Sequence, residues 1–99
     1  MWHKVAKTDD FAQSPVQTVE LEGQSIAIFK IENKFYAIDA VCPHQGGPLG
    51  EGSVDGVVVT CPWHAWQVNM KTGQCDAMSD VCQKTFPTQI IGPDILVDI

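Results

Sequence analysis

Basic residues are scarce in this chain. Six Lys and Arg stand against twelve Asp and Glu among 99 residues, a formal charge of −6. Nucleic acid and anionic membranes are held by clustered Lys and Arg, so both are poor partners for it. An acidic surface is better suited to docking on a basic protein face. Long apolar runs are missing as well: nothing approaches the ~20 consecutive apolar residues of a membrane-spanning helix. The opening Met1-Trp2-His3-Lys4 lacks the apolar stretch and small-residue cleavage site of a signal peptide, so a cytoplasmic location is the expectation. There is no Gly-rich dinucleotide fingerprint, which removes that route to NAD(P)H or flavin. Length is also limited. A chain of this size supports a single modest core, and one domain over residues 1–99 follows.

What is present reads as strands. Val16–Leu21, Gln24–Ile31 and Lys34–Ile38 are rich in β-branched and aromatic residues and are separated by Glu22-Gly23 and Glu32-Asn33. They predict a three-stranded meander, with Asn33 suited to a positive φ. Asp55-Gly56 before Val57–Thr60 is a further hairpin signal. Lys71-Thr72-Gly73 and Gly92-Pro93-Asp94 mark turns between later strands, the last being Ile95–Asp98. Thr8–Ala12 alone could make a helical turn, ended by Pro15. The fold class expected is all-β, with antiparallel sheets stacked as a sandwich or partial barrel.

One segment differs in character. Cys42-Pro43-His44 and Cys61-Pro62-Trp63-His64 are separated by a stretch rich in glycine, with sixteen residues between His44 and Cys61. Each box offers one thiolate and one imidazole, and a proline stiffens each directly after its cysteine. Together they make an S₂N₂ donor set, which suits zinc or an iron–sulfur centre. Structural zinc sites of this composition usually pair Cys with Cys and His with His. Here each box mixes the two types. That arrangement matches a two-iron cluster with both thiolates on one iron and both imidazoles on the other. Four cysteines in a reducing compartment are expected as ligands or thiols rather than bridges, and Cys75 and Cys82, outside both boxes, are read as free thiols.

Histidine arithmetic bears on catalysis. A 2-His-1-carboxylate oxygenase site would need two further histidines. The chain has three in all; after His44 and His64 only His3 remains, and it is expected on the surface of a first strand. The chain is therefore read as a redox carrier and not as an enzyme.

Cys42-Pro43-His44-Gln45-Gly46-Gly47-Pro48-Leu49 and Cys61-Pro62-Trp63-His64-Ala65-Trp66 resemble the two cluster-binding boxes of Rieske proteins. The likeness extends through Tyr36–Asp39, Lys71–Gly73, Phe86-Pro87 and Ile95–Asp98, nearly the whole chain, and is greatest to the small ferredoxins of bacterial ring-hydroxylating dioxygenases. The resemblance implies one [2Fe–2S] cluster, held by Cys42 and Cys61 on one iron and His44 and His64 on the other. The ligand loops, about residues 41–66, would form a small subdomain with the imidazoles near its surface. It also implies a monomeric, soluble electron carrier between an NAD(P)H-dependent ferredoxin reductase and a terminal aromatic-ring-hydroxylating oxygenase. Trp63 and Trp66 would serve as core or as a shield over the cluster. Val68 and Asn69 stand where relatives often carry Phe and Asp. Two alternatives stay open: a Rieske-like small subunit of assimilatory nitrite reductase, and a structural zinc module. The aromatic substrate would be chosen by the oxygenase and is not written in this chain.

Overall fold

The computed structural model describes residues 1–12, 14–41, 49–62, 67–74 and 84–99. Ten strands run through them: β1 (Trp2–Lys7), β2 (Val16–Leu21), β3 (Gln24–Ile31), β4 (Lys34–Asp39), β5 (Ser53–Asp55), β6 (Val58–Thr60), β7 (Gln67–Asn69), β8 (Thr85–Phe86), β9 (Thr88–Ile91) and β10 (Asp94–Asp98). Single 3₁₀ turns cover Thr8–Phe11 and Leu49–Glu51, and no α-helix occurs among the described residues. The first of these turns coincides with the helical turn expected from sequence. Asp10 closes it by accepting the Lys7 N–H at 2.9 Å.

The strands form three sheets, ordered β2-β3-β4-β8, β1-β10-β9 and β5-β6-β7, and every pairing is antiparallel. The all-β antiparallel architecture expected from sequence is the one observed. The β2-β3-β4-β8 sheet lies in the middle because its strands carry apolar residues on both faces. In β3 the period of two sends Ile26 and Ile28 to one side and Ala27 and Phe29 to the other, and all four are buried. Phe35 and Ala37 of β4 join the first side, where Ile95 and Val97 of β10 pack on them together with Phe11 and Phe86. Ile38 and Ala40 face the second side, covered by Val59 of β6, Val68 of β7, Leu49, Met70 and Cys61. The chain passes between layers at Pro87: β8 pairs with β4 and β9 pairs with β10. The Thr88 hydroxyl donates to the Phe35 carbonyl at 2.8 Å and ties that corner down.

Two turns differ from expectation. In the β3–β4 hairpin the positive φ falls on Glu32, at 58°, and not on Asn33. A two-residue hairpin can meet the strand twist with a positive φ at its first central position alone, and the register Ile31↔Lys34 puts Glu32 there. In the β5–β6 hairpin the turn residues are Gly56-Val57 rather than Asp55-Gly56, so the strand starts at Val58. Gly56, with φ of 60°, takes the first central position.

A left-handed conformation costs a non-glycine residue roughly 1–2 kcal/mol, while glycine costs about 0.4–1 kcal/mol in unfolded-chain entropy. Glu32→Gly is therefore expected to stabilise the protein by up to about 1 kcal/mol, and Asn33→Gly to destabilise it. Urea denaturation checks both signs; a lower midpoint for Glu32→Gly would contradict the strained turn.

Candidate metal centre

Of the four residues expected to bind metal, Cys61 lies within the described structure. Cys42, His44 and His64 lie outside the described residues, as do Gly47, Trp63, Trp66, Cys75 and Cys82. The cluster-binding loops expected over about 41–66 are thus seen through the residues that flank them.

Ala40 and Val41 precede the first box, and Leu49 is the next described residue after it. The Leu49 N–H donates to the Ala40 carbonyl at 2.9 Å, and the Ala40 N–H donates to the Ser25 carbonyl of β3 at 2.9 Å. Its two ends are therefore held against each other and against the middle sheet. The Asp39 carboxylate adds a bond from the Val41 N–H at 3.0 Å, directly before Cys42. The second box is closed in the same way by a strand pair, Thr60 of β6 opposite Gln67 of β7. On the far side of that hairpin, Asn69 Oδ1 accepts the N–H groups of Lys71 and Thr72 at 2.9 and 3.1 Å. An Asp would accept the same two bonds, so the Asn here preserves the turn. Val68, in place of the aromatic of many relatives, is fully buried.

The two boxes meet at their bases. Ala40, Leu49 and Cys61 belong to one buried cluster with Val59, Val68 and Met70. Cys61 is 2% exposed and Leu49 is 0% exposed. A thiolate among aliphatic side chains is a costly charge unless a cation holds it. A soft metal ion bound by that sulfur would supply the cation, and mixed S and N donors from the two boxes would suit iron of the Rieske kind. The donor chemistry and the junction of the boxes fit a [2Fe–2S] group. Among the described residues, which include one of the four expected ligands, no group of three or more His, Cys, Asp and Glu is placed to hold a metal ion. His3 stands apart on β1, with its Nε2 3.9 Å from the Glu22 carboxylate.

A family model for the Rieske [2Fe-2S] domain matches residues 1–87. The chain belongs to this family. The ferredoxin component of the p-cumate 2,3-dioxygenase system of Pseudomonas putida is 35% identical to this Rieske chain over 97 residues, covering 93% of the chain and 80% of the relative. A chain from the complex of reduced oxygenase and oxidised ferredoxin in carbazole 1,9a-dioxygenase superposes with a TM-score of 0.87 at 28% identity, covering 97% of this chain and 91% of that one. A solved protein described as a nitrite reductase NADPH small subunit superposes with a TM-score of 0.84 over 100% of this chain and 99% of that one. Its identity is 22%, so that likeness concerns the fold alone.

Sequence reasoning named Leu49 only as part of a motif and passed over Gly52. The signal for Leu49 was an isolated large apolar residue directly after a Gly/Pro stretch. Nothing comparable singles out Gly52 among its neighbouring glycines.

Because Leu49 is buried with Ala40 before the first box and Cys61 at the start of the second, truncating it is expected to loosen both. Leu49→Ala is expected to cost about 2–5 kcal/mol, as for other buried leucines. Urea unfolding followed at once by far-UV dichroism and by the visible band measures it. A cost below ~0.5 kcal/mol, the range of ordinary surface substitutions, would show that the junction is not built on this side chain.

Proposed function

We propose that this Rieske domain is the ferredoxin component of a multicomponent oxygenase system, taking single electrons from an NAD(P)H-dependent reductase and delivering them to a terminal aromatic-ring-hydroxylating oxygenase. The observation that carries this reading is the junction of the two boxes on one buried cluster containing Cys61. The 35% identity to a dioxygenase ferredoxin over most of both chains supports it. In this reading Cys42 and Cys61 hold one iron and His44 and His64 the other. When bound, a Rieske cluster supplies a one-electron couple, alternating between a diferric and a mixed-valence state. The protein's own part is to hold the four donors still and to keep the Cys61 sulfur out of water. The paired backbone at the ends of each box serves the first, and the cluster of Leu49, Val59, Val68 and Met70 around Cys61 serves the second.

The carrier is read as a cytoplasmic monomer with one domain over residues 1–99. The pairing of β10 with β1 supports a single unit, since the closing strand completes a sheet begun by the first. Among the described residues no helix is long and apolar enough to cross a membrane. Docking on basic partner faces suits the −6 charge. Two ferric ions, two sulfides and two thiolates add no net charge, so loading leaves that balance as it is.

Reconstitution tests the function directly. Purified holoprotein added to a dioxygenase reductase and its oxygenase is expected to couple NAD(P)H oxidation to ring hydroxylation. Cys42→Ser or His64→Ala is expected to abolish both the visible band and the coupling, because each box has one donor of each type. Full iron and sulfide content in either variant would remove that residue from the ligand set. Coupling to a nitrite reductase and to no oxygenase would favour the nitrite-reductase reading, and zinc without sulfide would favour a structural module.

The potential follows from what stands around the boxes. Respiratory Rieske proteins carry a Ser and a Tyr two and four residues after the second histidine, and their hydroxyls donate toward sulfur. Here those positions are Trp66 and Val68, and Val68 is buried among Val59, Met70 and Cys61. Gly47 and Trp63 replace the extra cysteine pair of those proteins, so the bridge between loops cannot form. A donor to sulfur favours the more negative, reduced centre, and its loss lowers the potential. At about 1.5–3 kcal/mol per charged hydrogen bond, each loss amounts to roughly 60–130 mV. The midpoint is therefore expected below about 0 mV, in the lower part of the ~−150 to +300 mV Rieske range. Redox titration monitored by visible absorbance checks this, and a value above about +200 mV would place the chain with the respiratory centres.

A further inference from the structure

The short segment after the first box contains two glycines, Gly50 and Gly52, on either side of Glu51. Neither has a positive φ, so backbone freedom does not explain them. Close approach does. A Cβ on Gly52 would stand 2.1 Å from the carbonyl oxygen of Thr60, 3.0 Å from its carbonyl carbon and 3.1 Å from Val59 Cγ2. The main obstacle is backbone in the β5-β6-β7 sheet, which cannot rotate aside as a side chain can. On its other flank the segment meets β2: a Cβ on Gly50 would stand 2.6 Å from Thr18 Oγ1. The 3₁₀ turn is thus wedged between the middle sheet and the hairpin that carries the second box.

The point of contact matters because of what is bonded to it. The Thr60 carbonyl and the Cys61 N–H belong to one rigid peptide plane, so displacing the first moves the second. Gly52 is in turn tied to the first box: its N–H donates to the Leu49 carbonyl at 3.0 Å, and Leu49 closes that box through Ala40. One residue beyond Gly52, Ser53 pairs with Thr60 and begins the β5–β6 ladder. The backbone leaving one box therefore bears directly on the backbone entering the other.

We propose that Gly52 is a positioning residue: by letting the Thr60 carbonyl occupy the place of a side chain, it sets the spacing of the two ligand boxes and with it the redox potential and spectroscopic signature of the bound cluster. This rests on the ferredoxin reading above. The magnitudes favour an effect at the metal. Bringing a Cβ from 2.1 Å out to ordinary contact needs a displacement of roughly an ångström. Metal–ligand distances tolerate only about ±0.2 Å.

The test compares Gly52→Ala with Gly23→Ala and Gly56→Ala in the intact holoprotein. Both controls sit at positive φ, 79° and 60°, with nothing within 4 Å of the added Cβ. They strain the fold without filling a space between the boxes. Iron and sulfide content, the EPR spectrum of the reduced protein and the midpoint potential are read for each, alongside far-UV dichroism. Gly52→Ala is expected to keep its strands and either lose the cluster or change the reduction equilibrium at least threefold, about 28 mV at 59 mV per tenfold, with an altered EPR line shape. The controls are expected to match the unmodified protein in both. An unmoved potential and spectrum in Gly52→Ala, or equal shifts in the controls, would overturn the inference. If Gly52→Ala does not accumulate as folded protein, Gly50→Ala decides: a shift that Thr18→Ala cancels supports the wedge, and no shift overturns it. An unmodified protein without a two-iron signature would defeat the ferredoxin reading itself, whereas a normal signature unmoved by Gly52→Ala defeats this inference alone.

Discussion

The contact on which the rest depends is the packing of Ala40, Leu49 and Cys61 in one buried cluster. Ala40 precedes the first box, Leu49 ends it, and Cys61 opens the second. A chain of 99 residues has no room for a separate scaffold under each box. The aliphatic side chains that stabilise the fold are therefore the ones that hold the boxes together. This coupling explains why the middle sheet is buried on both faces. One face is closed by the β1-β10-β9 sheet and serves stability, and the other is closed by the β5-β6-β7 sheet with Leu49 and Met70, the residues that flank the two boxes.

Much of this was legible in the sequence because the signals are local. The Cys and His offsets in the two boxes suggest the Rieske family without any knowledge of the fold, and the family model bears that out. The β2-β3-β4 meander is written in β-branched runs and two-residue turns, and its strands are observed where those runs lie. The layering was less legible. With Ile26, Ala27, Ile28 and Phe29 all apolar, no polar alternation shows which residue faces which layer, and burial on two sides erases the period-two signal. Turn chemistry misled at Glu32, since residue type favours Asn33 for the positive φ while strand register chooses the position. Gly52 was invisible for a different reason. Close approach to the Thr60 carbonyl is a tertiary event, and in a glycine-rich stretch one more glycine carries no distinguishing mark.

An electron carrier benefits from a centre that changes little between its two states. The paired strands β6 and β7 around the second box, and β4 with the Leu49–Ala40 hydrogen bond at the ends of the first, provide such a frame. An apolar cluster around Cys61 keeps water from the sulfur, and a valine at position 68 offers no hydroxyl to donate toward it. The acidic surface is a separate matter, bearing on which partners the carrier meets rather than on how the couple is tuned.

The central claim is that the two boxes jointly ligate one cluster, each giving one cysteine and one histidine. Pulsed EPR on the reduced protein, with histidine selectively labelled with ¹⁵N, tests it most directly. The account predicts hyperfine coupling to two histidine nitrogens, with both couplings unchanged in His3→Ala. Coupling to His3, or no histidine coupling in a protein that holds iron and sulfide, would contradict it.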